Sequence, residues 1–246
     1  MQKALLLLLL LASCKSSNTK LLLSQEVELC ANCTQFNNGN DTLKFTNYQY
    51  DSHNRIVSSQ ICRRGQIHYS ISSKYVYDKN DNLIEVDDKD SDAEPDTTEF
   101  HYSKNIPTYS NKKGDTIHKL VYIIKNGKIA AYADFTFKYK GDNLTVHTLI
   151  KKDLNQFQIF KYGNMKSPCH DCNFKWQDIP FGYNCASNEI IQIKSYNSTL
   201  KDTMNDNFTY EYNNQGYPIK KMDSFQNSKG INGKGSYTIY KYIPAK

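Results

Sequence analysis

Hydrophobic and polar positions alternate along most of this chain. From Ile67 to Tyr77 the odd positions read Ile67, Tyr69, Ile71, Ser73, Tyr75 and Tyr77, while the even ones read His68, Ser70, Ser72, Lys74 and Val76. A period of two is that of a strand with one buried face and one wet face. Asp134 to Lys140 repeats it, with Phe135, Phe137 and Tyr139 inward and Asp134, Thr136, Lys138 and Lys140 outward. Turn residues then set the register. Gly141-Asp142 as a two-residue loop pairs Tyr139 with Leu144, Phe137 with Val146 and Phe135 with Thr148. Asn126-Gly127 pairs Ile124 with Ile129 and Tyr122 with Ala131, and Asn213-Asn214-Gln215-Gly216 joins Phe208–Tyr212 to Tyr217–Met222.

The pattern predicts strands near 42–50, 55–62, 66–77, 82–87, 97–103, 116–125, 128–140, 143–151, 156–162, 188–196, 206–213, 217–224 and 235–243. No window carries a capped helical stripe. An antiparallel meander of about a dozen strands must curl, close or split. The expected fold is therefore all-β, a curved, barrel-like sheet, with a β-sandwich as the alternative. The longest irregular stretch, 164–186, holds Pro168, Pro180, three cysteines and Trp176, the single tryptophan. It reads either as a functional loop or as a cover tied by disulfides over one end of the sheet.

The N-terminus belongs to a different kind of segment. Met1-Gln2-Lys3 is basic, Ala4 to Leu11 is apolar but too short to span a bilayer, and the run ends in Leu11-Ala12-Ser13-Cys14. This ending resembles the lipobox of bacterial lipoproteins. The resemblance implies a signal peptide over 1–13, removed on export, and acylation (palmitate) of Cys14 as the new N-terminus. Residues 14–24 then read as a lipidated tether and 25–246 as one all-β domain. Lys15 rather than an acid after Cys14 points to the outer membrane, with periplasmic and surface-facing orientations both open.

Nineteen tyrosines and eleven phenylalanines suit many half-buried strands. Loss of Lys3 with the signal takes the formal charge from +6 to +5. The basic pairs Arg63-Arg64, Lys112-Lys113, Lys151-Lys152 and Lys220-Lys221 lie in separate segments, which argues against nucleic acid as a partner.

One unit recurs. Tyr75-Val76-Tyr77-Asp78 leads through a polar turn to Leu83-Ile84, with looser copies at Tyr48-Gln49-Tyr50-Asp51, Phe137-Lys138-Tyr139 and Tyr210-Glu211-Tyr212. With the lipobox, Phe181-Gly182-Tyr183-Asn184, Ser187-Asn188-Glu189-Ile190 and the closing Tyr210–Lys221 segment, the chain resembles a Bacteroidota-type lipoprotein family. That family is a domain of unknown function with a porin-like fold. Its hairpins also resemble, more weakly, the YD repeats of large bacterial wall-associated proteins. The resemblance implies a fold and an address, not a catalytic set.

Beyond Cys14 the cysteines are Cys30, Cys33, Cys62, Cys169, Cys172 and Cys185. An even count in an exported protein predicts disulfides of undetermined pairing. If all six pair, at least one bond joins the first three to the last three. The two CxxC motifs also match thiol-oxidoreductase and four-thiolate zinc spacings. The first needs a helix after the motif, and an oxidising compartment works against the second. Counting from Asp88, acids at Asp88, Asp90, Asp92, Asp96 and Glu99 match calcium-loop positions, although Ala93 stands where such a loop needs glycine. Calcium is the one cofactor expectation. Thr42, Thr97, Thr116 and Thr203 each follow an aspartate in a pattern resembling an O-glycosylation sequon. The histidines show no metal-ligand spacing, and no GxSxG elbow, phosphate loop or dinucleotide fingerprint is present.

Together these observations point to a non-enzymatic, cell-envelope binding module for a glycan or peptide, using exposed aromatic faces or open strand edges. The alternatives are a lipid or lipoprotein carrier with a half-closed barrel, and a hydrolase whose residues are not legible.

Overall fold

The computed structural model of the chain describes residues 19–30, 42–63, 70–91, 93–151, 154–172, 186–199 and 201–246. The strands are β1 (Leu21–Cys30), β2 (Thr42–Tyr50), β3 (Ile56–Arg63), β4 (Ser70–Tyr77), β5 (Leu83–Asp90), β6 (Asp96–Ser103), β7 (Ile106–Lys112) and β8 (Leu120–Lys125). They continue as β9 (Lys128–Tyr132), β10 (Phe135–Lys140), β11 (Asn143–Lys151), β12 (Leu154–Lys166), β13 (Asn188–Asn197), β14 (Asp202–Tyr212), β15 (Pro218–Asn227) and β16 (Asn232–Pro244). Each pairs antiparallel with its sequence neighbours. β1 also pairs β16, from Leu21↔Pro244 to Cys30↔Ser236, so the sheet is a closed barrel. It is not a sandwich, and no helix occurs among the described residues. Closure removes the free edge that an added peptide strand would need.

The tight turns explain why the repeat reads Tyr-Asp or Tyr-Asn. Asp51, Asp78 and Asn213 each open a five-residue turn closed by a backbone bond from their own N–H, to Arg55, Asn82 and Tyr217 respectively. Each side chain also accepts two backbone N–H groups two and four residues on. For Asp78 the donors are Asn80 and Asn82, at 2.8 and 2.9 Å. For Asp51 they are His53 and Arg55, and for Asn213 they are Gln215 and Tyr217. A short oxygen-bearing side chain is what this turn requires.

Just inside these turns the register steps by one residue. Tyr77 lies opposite Leu83 while Val76 lies opposite Glu85, leaving Ile84 as a bulge. Tyr50–Ile56, Tyr102–Pro107, Tyr139–Leu144 and Tyr212–Pro218 repeat the step, which bulges Val57, Thr108, Thr145 and Ile219. Ile124–Ile129 does so without a tyrosine.

The bulges correct the register read from alternation. Phe137 faces His147 rather than Val146, Phe135 faces Leu149 rather than Thr148, and Tyr122 faces Tyr132 rather than Ala131. The extra residue at Thr145 is held by its own hydroxyl, which donates to the carbonyl of Lys138 at 3.0 Å.

Tyrosine hydroxyls then tie each hairpin to the one before it. Tyr50 donates to the carbonyl of Leu23, Tyr77 to Ile56 and Tyr102 to Leu83, at 2.7, 2.8 and 2.7 Å. Tyr162 to Leu144, Tyr210 to Ile190 and Tyr242 to Pro218 repeat the bond at 2.7 Å. Burial pushes the phenols of Tyr50, Tyr102, Tyr210 and Tyr242 up, which keeps them protonated donors. A phenylalanine would fill the same space but leave the carbonyl without this partner.

Three elements differ from the expected strands. β1 starts at Leu21, inside the stretch read as tether, and Leu22 and Leu23 are fully buried. β7 adds a strand where Pro107 interrupts a short segment; that proline sits buried opposite Tyr102. The predicted 128–140 strand divides into β9 and β10 at Ala133, which adopts φ 44°.

Candidate functional site

The two mouths of the barrel differ. The even-to-odd connections and the chain ends lie at one mouth, where the Ala245 N–H donates to the Lys20 carbonyl at 2.9 Å. The described start of the β12–β13 connection at this end folds inward. Its turn, Ser167 to Cys172, buries Cys169 and Cys172 against Leu22, Leu23, Tyr50, Ile56 and Tyr240. Tyr217, fully enclosed, donates its hydroxyl to Asp171, and the Lys166 ammonium lies 4.0 Å over the Tyr217 ring. His170 bonds through Nδ1 to the Ser187 carbonyl at 2.7 Å. These contacts seat the turn as a plug.

The lumen behind the plug sets ionisable groups among Ile190, Ile193, Phe208 and Tyr240. Burial raises the carboxyl pKa of Glu26, with Lys44 and Lys221 opposing it, and burial likewise raises those of Asp206 and Asp223. Ser236 donates to Glu28 at 2.8 Å and lies 3.3 Å from Asp223.

Two cavities open toward the other mouth. The larger, about 590 Å³, is lined by Tyr75, Val86, Phe100 and Tyr122 and, nearer the rim, by Asp88, Asp90, Glu94 and Asp96. The smaller, about 320 Å³, is lined by Phe135, His147, Leu149, Gln156, Gln158, Ser195, Asn197, Asp202 and Met204, with Phe157 and Tyr196 at its border. Phe135 and Phe137 both stack on His147, at 5.2 and 5.1 Å between ring centres. His147 Nδ1 is 3.4 Å from Gln158 Oε1, and Gln158 Nε2 reaches Ser195 Oγ at 3.4 Å. An aromatic floor thus meets a row of amide and hydroxyl groups.

The positions singled out from sequence divide across this structure. Asp88, Asp90 and Asp96 enter the larger cavity, whereas Glu99 pairs with Glu85 and Asn111 on the outer face. Strand alternation therefore splits the expected calcium set, Asp92 lies outside the described residues, and no group of three or more metal-ligating side chains occurs among the described ones. Thr42, Thr97 and Thr203 lie at strand starts and Thr116 in the exposed β7–β8 connection, all at the open mouth. The Thr97 hydroxyl is engaged with Asp87 at 2.7 Å.

The cysteines do not form the full disulfide set expected. Cys62, Cys169 and Cys172 stand outside any disulfide in the structure. Cys30 is disulfide-bonded, and its partner lies outside the described residues, as do Cys14, Cys33 and Cys185. The Cys172 thiol is held below the ordinary thiol range, chiefly by a hydrogen bond with Cys169.

Sequence reasoning missed the smaller cavity. The bulge at Thr145 turns His147 inward beside Phe135 and Phe137, and a bulge-free register puts it in water.

No family model matches the chain, and no curated protein matches it. Among solved structures, a porin-like protein from Bacteroides uniformis is similar over 90% of this chain and 96% of that one, at 12% identity and a TM-score of 0.46. A chain of the TcdB2–TccC3–Cdc42 complex is similar over 85% of this chain but 10% of its own length, at 12% identity and a TM-score of 0.37.

Proposed function

We propose that this protein is a non-enzymatic binding barrel that holds a small glycan in the cavity walled by Phe135, His147, Gln156, Gln158, Ser195, Asn197 and Asp202. The carrying observation is the combination of a half-buried aromatic floor with side-chain amides, a hydroxyl and a carboxylate, all within about 320 Å³. Sugar rings present an apolar face to aromatic rings and hydroxyls to amides. The inward tyrosines of the repeat are latches of the fold, which moves recognition from strand faces to the open mouth. The larger cavity supports a second reading, a basic peptide segment drawn by Asp88, Asp90, Glu94 and Asp96.

The address fits a lipoprotein. Outer-face Lys74, Lys138, Lys161, Lys194 and Lys241 are exposed, which suits a barrel hung from a membrane rather than one facing lipid. A lipid on Cys14 would tether the chain at the plugged mouth, where Lys20 enters β1, and leave the open mouth distal. The outer membrane is the proposed location.

A glycan array probed with the purified domain, followed by calorimetric titration of hits, tests the binding reading. Saccharide hits lost in Gln158→Ala support it. Binding of basic peptides alone transfers the function to the larger cavity. Metabolic palmitate labelling lost in Cys14→Ala tests the anchor.

A further inference from the structure

We propose that Cys169 and Cys172 are a disulfide site, pairing with each other to lock the plug in the sealed mouth. The turn Cys169-His170-Asp171-Cys172 is closed by the Cys172 N–H donating to the Cys169 carbonyl at 3.1 Å. A turn of this kind keeps the two Cα atoms within about 7 Å, the reach of a disulfide. Cys169 holds the Cys172 thiol pKa down, and the Tyr50 hydroxyl lies 3.3 Å from the Cys172 sulfur.

The surroundings leave each thiol no other cysteine among the described residues. Cys169 and Cys172 are 7% and 8% exposed, enclosed by Leu22, Leu23, Ile56 and Tyr240. Cys62, the remaining free thiol, stands opposite Phe45 and Ser70, next to Ile61, which lines the lumen. Alternation puts Cys62 on the outside of the barrel, with the wall between it and the plug.

Burial also sets the order of events. The four-residue spacing lets the bond form by local exchange before the turn is seated. The Cys172 thiolate attacks one sulfur of a small-molecule disulfide and releases a thiol. The Cys169 thiolate then attacks the mixed disulfide, forms the Cys169–Cys172 bond and releases the second thiol. The protein loses two electrons and two protons, and the small disulfide is reduced to two thiols that carry them. The closed ring fixes Asp171 between the bonded cysteines, where Tyr217 meets it.

The test is peptide mapping of the full chain refolded with reduced and oxidised glutathione, alkylated in acid-quenched denaturant and digested without reductant. Trypsin releases residues 167–175 as one peptide holding both cysteines. The expected result is that this peptide appears unalkylated and lighter by two hydrogens than its dithiol form, in the wild type and in Cys62→Ala alike. Alkylation at both cysteines overturns the proposal, as does recovery of 167–175 cross-linked to a peptide containing Cys30, Cys33, Cys62 or Cys185.

Discussion

The hydroxyl of Tyr77 donates to the carbonyl of Ile56 at 2.8 Å, across the wall from the strand that holds its hairpin partner Leu83. Tyr77 therefore belongs to two hairpins at once. Replacing it with phenylalanine keeps the ring and removes this bond. Tyr77→Phe and Tyr242→Phe should each lower stability by about 1–2 kcal/mol, the cost of leaving a buried acceptor without its donor. Tyr109→Phe, whose ring stacks on His101 on the outer face, should change it by less than about 0.5 kcal/mol. Urea unfolding followed by circular dichroism reads all three, and equal losses would contradict the latch.

Asp78 supplies both oxygens of its turn, to two backbone N–H groups and to the Asn82 amide at 2.8 Å. Asp78→Ala should cost about 1–2 kcal/mol, and Asp78→Asn should recover most of it, because Asn213 performs the same role elsewhere. Amide exchange at Asn80 and Asn82 should accelerate in the alanine variant alone.

Gly163 exists to admit a carboxyl group. A Cβ built there would lie 2.0 Å from Glu189 Oε1, and Glu189 is only 3% exposed. Gly163→Ala should therefore destabilise by about 1–3 kcal/mol. Combining it with Glu189→Ala should recover much of the loss, a coupling that a double-mutant cycle measures.

The pH profile follows from opposing shifts. Burial raises the carboxyl pKa values of Glu26, Glu189, Asp206 and Asp223. Between the ordinary and raised values the folded state holds more protons than the unfolded one, so stability falls as pH rises through that interval. Asp115 is lowered to about 2, first by the His118 and then by the Ile117 backbone N–H, and Asp202 is lowered chiefly by Ser228. Their contributions are present above the ordinary value and are lost as pH falls through the lowered ones. Melting temperature should thus rise as neutral buffer is acidified toward about pH 4.5 and drop below it. Glu189→Gln should raise the neutral-pH value and flatten the slope. A maximum at neutral pH, unmoved by that substitution, would contradict this.

Alternation carried the fold. The inward parity of Ser73, Tyr75, Phe135 and Phe137 and the turns at Asn126 and Gly141 are visible in the chain, and so is the curl of a long meander. The bulges were not visible, because Val57, Ile84, Thr108, Thr145 and Ile219 look like ordinary strand residues; only their recurrence one place after the residue paired with the hairpin tyrosine marks them. Missing them reversed the face of His147, and with it the smaller cavity. The Leu21–Ser24 start of β1 was hidden for another reason: an apolar run without alternation beside a polar segment has no period to read. Within the acidic set, strand pleating sends Glu99 to the opposite face from Asp88, a split that spacing counted along a loop does not show.

The account rests most on the open-mouth cavity being a saccharide site. Calorimetric titration of an array-selected oligosaccharide into the wild type, Phe135→Ala and the outer-face control Ser58→Ala tests this directly. Binding should weaken about tenfold or more in Phe135→Ala, roughly 1.4 kcal/mol, and stay unchanged in Ser58→Ala. Equal affinity in all three proteins, or no saccharide bound by the wild type, would contradict it.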